Sequence, residues 1–206
     1  MAGERPPVDY VFGYGSLVEL GEPLVKGAHV FPAMPGRLRG FRRFWGAAMN
    51  NWEATEAEKH FLDPDSGLKP RIRVAYLDVE PRQGSSVNGL AIPVDATRLA
   101  ELDLREVNYS RIDVSSAFEP AIPHRIFTYV GTAAARERCR AETPDLIVQV
   151  SRQYVERIKQ AFAALGPDEL AEYERTTEPL PFPERDLELR YPPPPTGGSV
   201  TSPKAD

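Results

Sequence analysis

The sequence predicts an α+β fold in which a small mixed β-barrel is flanked by helices. Several strand-like segments follow one another with few helices between them, which argues against regular βαβ repeats. The clearest helix covers residues 144–165, where apolar residues recur at spacings of three and four and mark one buried face. A strongly curved mixed sheet with helices packed around it accommodates both observations.

The predicted strands are short segments rich in β-branched and aromatic residues, each bounded by turn-forming residues. In chain order they cover residues 8–12, one or two stretches within 30–44, then 72–79, 87–94, 109–114 and 125–130. Residues 46–70 are polar and irregular, and the turn-forming run at 63–67 favours a long loop or insertion there.

Helices are predicted from apolar periodicity and from the residues at their ends. Asp95 is a suitable N-cap for a helix over residues 96–106. The long helix over 144–165 is expected to end at Gly166-Pro167, because glycine and proline both terminate helices. A shorter helix over residues 168–175 follows.

Length and composition predict one domain followed by a tail. A chain of 206 residues can bury one substantial core, which we assign to residues 1–177. Residues 178–206 are rich in proline and cannot supply a core, so we expect an extended or disordered tail. A polyproline ligand for a partner protein is the alternative interpretation of this tail.

The composition argues against several classes of protein. Hydrophobic residues make up 41% and charged residues 27%, which is typical of a globular chain rather than a disordered one. No apolar run approaches the ~20 residues that a membrane helix needs, and the N-terminus lacks the features of a signal peptide. We therefore expect a cytoplasmic protein without membrane contact. The net charge of −5 argues against nucleic acid as the main partner.

Neither a metal nor a cofactor is expected. The histidines His29, His60 and His124 are not spaced as ligand pairs, and Cys139 is the single cysteine. The segment Gly13-Tyr14-Gly15 after the first strand lacks the third glycine and the acidic residue of a dinucleotide site, and it lacks the lysine of a phosphate-binding loop. An incidental surface position is favoured for Cys139 over a reactive thiol, although arginines surround it.

Residues 37–45 interleave arginines with aromatic residues. Nucleic-acid bases could stack on Phe41, Phe44 and Trp45 while the arginines neutralise phosphates. We favour a strand whose aromatic side chains enter the core and whose arginines stay in solvent. In a third interpretation, one arginine faces an anionic small substrate.

The first glycine-containing turn and the helix over 96–106 are the two candidates for chemistry. The backbone N–H groups of a tight turn can bind a carboxylate or an oxyanion, although an ordinary strand-ending turn explains the glycines equally well. On the helix, Leu99, Leu102 and Glu106 lie in one narrow stripe. A carboxylate on a buried face has a raised pKa, which suits a general base near neutral pH. A structural ion pair of Glu106 with Arg111 or Arg125 is the alternative.

Four motifs between residues 8 and 175 occur in an informative order and spacing. They are Phe12-Gly13-Tyr14-Gly15-Ser16-Leu17, residues 89–94, the pattern Leu99-x-x-Leu102-Asp103-x-x-Glu106-x-x-Tyr109-x-Arg111-x-x-Val114, and residues 127–130. This series resembles the γ-glutamylcyclotransferase-like superfamily. The pair Arg105-Glu106 resembles its glutathione-specific, ChaC-like branch, whereas residues 46–70 match no part of the family.

The resemblance implies a small mixed barrel with helices around it, and it makes residues 1–177 a catalytic domain. It implies a lyase that releases 5-oxoproline from a small-molecule γ-glutamyl compound, without metal or cofactor. The γ-glutamyl group would be held by the loop Tyr14-Gly15-Ser16-Leu17, and Glu106 would move the protons. Tyr109 and Tyr129 are candidate hydroxyl partners of the substrate or of Glu106.

The leaving group and the oligomeric state stay open at the level of sequence. Glutathione, a γ-glutamyl amino acid and a γ-glutamylamine are all compatible with the motifs. A non-catalytic module that binds a small ligand or a protein on the same fold is the alternative function.

Overall fold

A computed structural model describes residues 8–53, 58–141 and 146–191 of the chain. The strands are β1 (Asp9–Gly13), β2 (Leu24–Lys26), β3 (His29–Phe31), β4 (Met34–Asn50), β5 (His60–Leu62), β6 (Arg73–Val94), β7 (Tyr109–Asp113), β8 (Phe118–Glu119), β9 (Ile126–Gly131), β10 (Val148–Ser151), β11 (Glu184–Arg185) and β12 (Glu188–Arg190). The α-helices are α1 (Ala96–Arg105), α2 (Ala133–Arg140), α3 (Arg152–Leu165) and α4 (Pro167–Thr176), and a 3₁₀ helix covers Ser16–Leu20.

The main sheet is mixed and strongly curved. Its hydrogen-bonded order is β11-β10-β6-β1-β9-β7, and β4 pairs with both β6 and β8. Strand β1 is antiparallel to β6 and parallel to β9, so both pairing modes meet at the centre of the sheet. The sheet curls into a half-barrel with helices packed against it, which confirms the predicted α+β fold.

Two long antiparallel strands, β4 and β6, form the backbone of the sheet. The predicted strands 72–79 and 87–94 are the two halves of β6, and the predicted turn between them is a bulge within that strand. Residues 82–85 lie opposite Gly40 alone, and Gly40 and Gly84 take φ values of +75° and +78°. Because glycine adopts positive φ readily, the chain bulges outward without leaving the ladder.

The core lies between the curved sheet and helices α3 and α4. Val11, Phe12 and Val79 from the sheet are fully buried, as are Ile158 and Phe162 from α3. Asp95 caps α1 as predicted, because its carboxylate accepts a hydrogen bond from the backbone N–H of Arg98 at 2.9 Å. No helix in the described part of the chain is long and apolar enough to cross a bilayer.

The predicted helix over 144–165 is wrong in its first part. Residues 148–151 form strand β10, and helix α3 begins only at Arg152. Val148 and Val150 are buried on either side of Gln149, and β10 pairs with β6 and β11, so pairing with the sheet overrides the helical spacing. Residues 142–145 lie outside the described ranges.

Helix α2 was not predicted, because it has a very small apolar face. Ala135 and Cys139 are its buried residues. Cys139 is therefore a buried thiol and not a surface one, and burial raises its pKa to about 12. This environment disfavours the thiolate, so the structure gives no support to a reactive cysteine.

The expected tail from residue 178 onwards is wrong for residues 178–191. Strand β11 pairs with β10, and strand β12 pairs antiparallel with β5. Leu187 is fully buried in a small second cluster with Phe61 and Val74. The expected loop over 46–70 is also wrong in part, since it contributes the end of β4 and all of β5. The proline run after residue 191 lies outside the described part of the chain.

Candidate active site

The chain turns sharply after β1. A Cβ atom at Gly13 would lie 2.9 Å from the Cβ of Leu17 and 3.0 Å from the nitrogen of Val18, so only glycine fits here. The N–H of Val18 donates to the carbonyl of Gly15 at 3.0 Å and closes the first turn of the 3₁₀ helix. The first N–H groups of a helix have no acceptor within it, so those of Ser16 and Leu17 can donate to a ligand.

Glu106 caps the C-terminal end of α1. Its N–H donates to the carbonyl of Leu102, and its own carbonyl accepts from the N–H of Tyr109 at 2.8 Å. The Glu106 side chain is 16% exposed, which places the carboxylate on the inner side of the helix end. The stripe formed with Leu102 predicted this orientation.

One cavity brings together every residue that the sequence singled out for the site. Its lining residues come from the first turn, from β6, from the end of α1, from β7 and β9, and from α3. They are Tyr14, Gly15, Ser16, Leu17, Leu77, Glu106, Tyr109, Tyr129 and Tyr154. The acid of α1 and the glycine turn, which are about ninety positions apart, therefore face the same space.

The surroundings of Glu106 shift the pKa of its carboxyl upward, towards the range of a general acid–base group. Burial raises the pKa of this carboxyl above its ordinary value, and the cations Arg105 and Lys59 oppose that effect only in part. The Nε of Arg105 lies 3.3 Å from Oε1 of Glu106. The expected alternative partners are engaged elsewhere, since Arg111 pairs with Asp103 at 2.9 Å and Arg125 pairs with an acid of β1.

The tyrosine hydroxyls of the cavity donate to protein acceptors. Tyr14 donates to the carbonyl of Tyr129 at 2.6 Å, Tyr109 donates to the carbonyl of Leu77 at 2.8 Å, and Tyr129 donates to the carboxylate of Asp103 at 2.8 Å. Burial raises the pKa of all three phenols, so they stay neutral. Their oxygens remain available to a substrate as acceptors.

Tyr154 is a cavity residue that the sequence predicted only as part of a buried helical face. Burial raises the pKa of its hydroxyl, and the neighbouring Leu77 backbone and Ser16 side chain oppose that shift. The available signal was a hydroxyl-bearing side chain within an otherwise apolar stripe of α3, because a buried Tyr needs a partner for its O–H.

Comparison with known proteins identifies the architecture. No protein-family model matches the sequence, and none of the curated proteins is significantly similar to it. A solved structure of a gamma-glutamyl cyclotransferase is 19% identical, with 85% of this chain and 90% of that chain covered at a TM-score of 0.50. The uncharacterized protein loc79017 from Homo sapiens is 17% identical, with coverage of 88% and 94% and a TM-score of 0.50.

This chain has the γ-glutamyl cyclotransferase fold. At these identities the likeness concerns architecture alone, so the chemistry of the cavity has to come from the residues of this chain.

In this γ-glutamyl cyclotransferase fold, Arg43 does not line the cavity but contacts the backbone of Tyr14, which does. It is fully buried, which corrects the expectation that the arginines of residues 37–45 stay in solvent, whereas Phe41 and Trp45 are buried as expected. The guanidinium lies 4.5 Å from the Tyr173 ring centroid and donates to the carbonyl of Tyr14 at 2.9 Å. Burial lowers its pKa to about 10, so it remains a cation at neutral pH. Arg43 thus ties the glycine turn to α4.

A second cavity adjoins the first and shares Ser16 and Tyr154 with it. Its walls come from β5, β6, α1, α3 and β12, so the segments that the sequence assigned to an insertion and a tail both contribute to it. Lys59 precedes β5 and Tyr191 follows β12, and both line this space. Sequence analysis missed both residues, because their segments carry no periodic apolar pattern.

A wider groove between β4 and β8 is a weaker candidate. It is lined by Arg37, Arg39, Glu119 and Glu169, which pair with one another across it. It shares no lining residue with the two cavities around Ser16.

Proposed function

We propose that this chain is a γ-glutamylcyclotransferase, a carbon–nitrogen lyase that releases 5-oxoproline from a γ-glutamyl compound. One observation carries the proposal: the buried carboxyl of Glu106, with its raised pKa, faces the same cavity as the glycine turn at Gly15 and Ser16. A titratable group and a set of backbone donors that converge in one cleft are the expected parts of an acyl-transfer site.

The reaction is an intramolecular ring closure. The α-amine nitrogen of the substrate attacks its own γ-carbonyl carbon and forms the lactam C–N bond, and the bond from that carbon to the leaving nitrogen breaks. Glu106 takes the proton that the attacking amine loses and gives it to the leaving nitrogen, so the carboxylate is regenerated. Such acid–base assistance contributes roughly 10²–10⁴ in rate.

The protein also selects the conformer that cyclises. Because nucleophile and electrophile belong to one molecule, correct orientation can contribute about 7–11 kcal/mol. The N–H groups of Ser16 and Leu17 would hold the γ-glutamyl moiety or the developing oxyanion. The neutral phenols of Tyr109 and Tyr129 offer their oxygens as acceptors for the N–H groups of the attacking α-amine.

Release of 5-oxoproline from glutathione, a γ-glutamyl amino acid and a γ-glutamylamine tests the function. We expect product from at least one of them, and we expect Glu106→Gln to lower kcat by about 10² or more, because an amide cannot shuttle the proton. Glu101→Gln is the matched control, since Glu101 is an exposed acid of the same helix that pairs with Arg98.

Circular dichroism of both variants separates loss of chemistry from loss of fold. Full turnover by Glu106→Gln would rule out the proposed proton transfer. Binding of a γ-glutamyl compound without any product would instead indicate the non-catalytic binding module. Two finer predictions accompany the proposal: an activity that includes glutathione, which rests on the resemblance of the pair Arg105-Glu106 to the ChaC-like branch, and a cytoplasmic location.

A further inference from the structure

The second cavity is lined by positively charged side chains. Its lining includes the cations Lys59, Arg105 and Arg157, and no aspartate or glutamate is among its described lining residues. Arg105 is paired with Glu106 of the first cavity, and Arg157 is paired with Glu19 outside both cavities at 3.0 Å. Lys59 also interacts with Glu106, so these three cations share two acids, Glu106 and Glu19, and leave an excess of positive charge beside the second cavity.

The surroundings of Lys59 favour the binding of an anion. Although part of the residue is exposed, its ammonium nitrogen is 4.6 Å from the centroid of the Tyr76 ring. Burial of the ammonium group, together with the charges of Arg105 and Arg157, lowers the pKa of Lys59 to about 8, although the charge of Glu106 opposes this effect. A carboxylate between these cations would offset their mutual repulsion and form charge-assisted hydrogen bonds.

The second cavity adjoins the place where the leaving group departs. In the proposed reaction Glu106 protonates the leaving nitrogen, so the rest of that group starts beside Glu106. Arg105 pairs with Glu106 and lines the second cavity, and Ser16 and Tyr154 line both cavities. A leaving group that extends past Ser16 enters the space around Lys59.

We propose that Lys59 is a specificity-determining residue whose cavity binds a carboxylate of the leaving group. The preferred substrates are then γ-glutamyl compounds whose leaving amine carries a carboxylate, as in γ-glutamyl amino acids, and not simple γ-glutamylamines. This inference rests on the proposed function. It is independent of the family resemblance, because Lys59 lies in residues 46–70, which match no part of the family.

A matched pair of substrates isolates the carboxylate. γ-Glutamylalanine and γ-glutamylethylamine differ only in the carboxylate of the leaving group, so the ratio of their kcat/KM values measures the preference. We expect a ratio of about tenfold or more in favour of γ-glutamylalanine, since a hydrogen bond to a charged group typically contributes that much. Equal values for the two compounds would overturn the inference.

Variants of Lys59 assign the preference to that residue. We expect Lys59→Met to lower the ratio by about tenfold, mainly through KM for γ-glutamylalanine, and Lys59→Arg to retain most of it. Lys159→Met is the matched control and should leave the ratio unchanged, because Lys159 pairs with Glu174 at 3.2 Å on another surface. An unchanged ratio in Lys59→Met would overturn the assignment.

Binding measurements separate this inference from the proposed function. Titration calorimetry with Glu106→Gln compares the two compounds in the absence of turnover. Tighter binding of γ-glutamylalanine that depends on Lys59 supports the carboxylate site, even if the wild-type chain releases no 5-oxoproline. Equal affinities, or no binding of either compound, count against it.

Discussion

At neutral pH the ammonium of Lys59 keeps its proton, although its pKa is lowered to about 8. The groups that face it are Glu106 and Arg105 from α1, Arg157 from α3, and the ring of Tyr76 from β6. Because a lysine loses its charge as pH rises through its pKa, the attraction for a carboxylate is present below pH 8 and lost above it.

The preference for γ-glutamylalanine over γ-glutamylethylamine should therefore fall as the pH rises through about 8. The α-amine of the γ-glutamyl group titrates alike in both compounds, so its contribution cancels in the ratio of kcat/KM values. Lys59→Arg should extend the preference to higher pH, since a guanidinium stays charged. A ratio that is constant across this range in the wild-type chain would contradict the role of Lys59.

The inward orientation of the Glu106 side chain could be predicted because the relevant information is local. Three residues at helical spacing, Leu99, Leu102 and Glu106, define which side of α1 faces inward. The position of Arg43 could not be read in this way, because its partner Thr176 lies 133 positions along the chain. An arginine in a strand is expected to be solvent-exposed unless its distant partners, here Thr176 and the Tyr173 ring, are known.

At the scale of elements, strand β4 supports the site through Arg43. This side chain donates to the carbonyl of Tyr14, to the side chain of Asn88 on β6, and to the hydroxyl of Thr176 at the end of α4. It thereby fixes the glycine turn relative to one strand and one helix. Loss of the guanidinium would leave several buried acceptors without a donor.

We expect Arg43→Met to lower the free energy of unfolding by about 2–4 kcal/mol, and Arg43→Lys to do so as well, because an ammonium cannot reach all of these acceptors. Urea denaturation gives the values. Arg39→Met is the control from the same strand, since the Arg39 side chain is 71% exposed and should change stability by less than about 0.5 kcal/mol. Equal effects at both positions would contradict the supporting role of Arg43.

The secondary-structure predictions were wrong at positions where pairing with a distant strand determines the conformation. Val148 and Val150 fit either a helical stripe or a strand, and their ladder with β6 selects the strand. The turn-forming residues between the two halves of β6 do end strands in many sequences, but here they are accommodated as a bulge opposite Gly40. By contrast, Asp95 acts within its own helix, and its capping role was predicted correctly.

At the scale of the whole molecule, the described residues form two apolar clusters and not one. The larger cluster fills the curved sheet, and the smaller one joins β5 and β6 to the C-terminal strands through Phe61, Tyr76 and Leu187. The prolines of residues 178–206 led to the prediction of a tail. One fully buried leucine is too weak a signal in the sequence to reveal that this segment packs.

Leu187→Ala should lower the free energy of unfolding by about 2–4 kcal/mol, because it removes buried methyl groups and leaves a cavity. Leu104→Ala is the matched control, since Leu104 is 79% exposed and should have little effect. Chemical denaturation of both variants gives the comparison. A negligible effect of Leu187→Ala would restore the description of residues 178–191 as a loose tail.

The pairing of β12 with β5 also bears on the order of events during synthesis. A ribosome makes the chain from its N-terminal end, and domains fold as their segments emerge. The glycine turn and Glu106 are present once α1 and the first strands have been made. The walls around Lys59 are complete only when Leu189 and Tyr191 have emerged. A nascent chain therefore acquires the groups for ring closure well before the pocket that would discriminate among leaving groups.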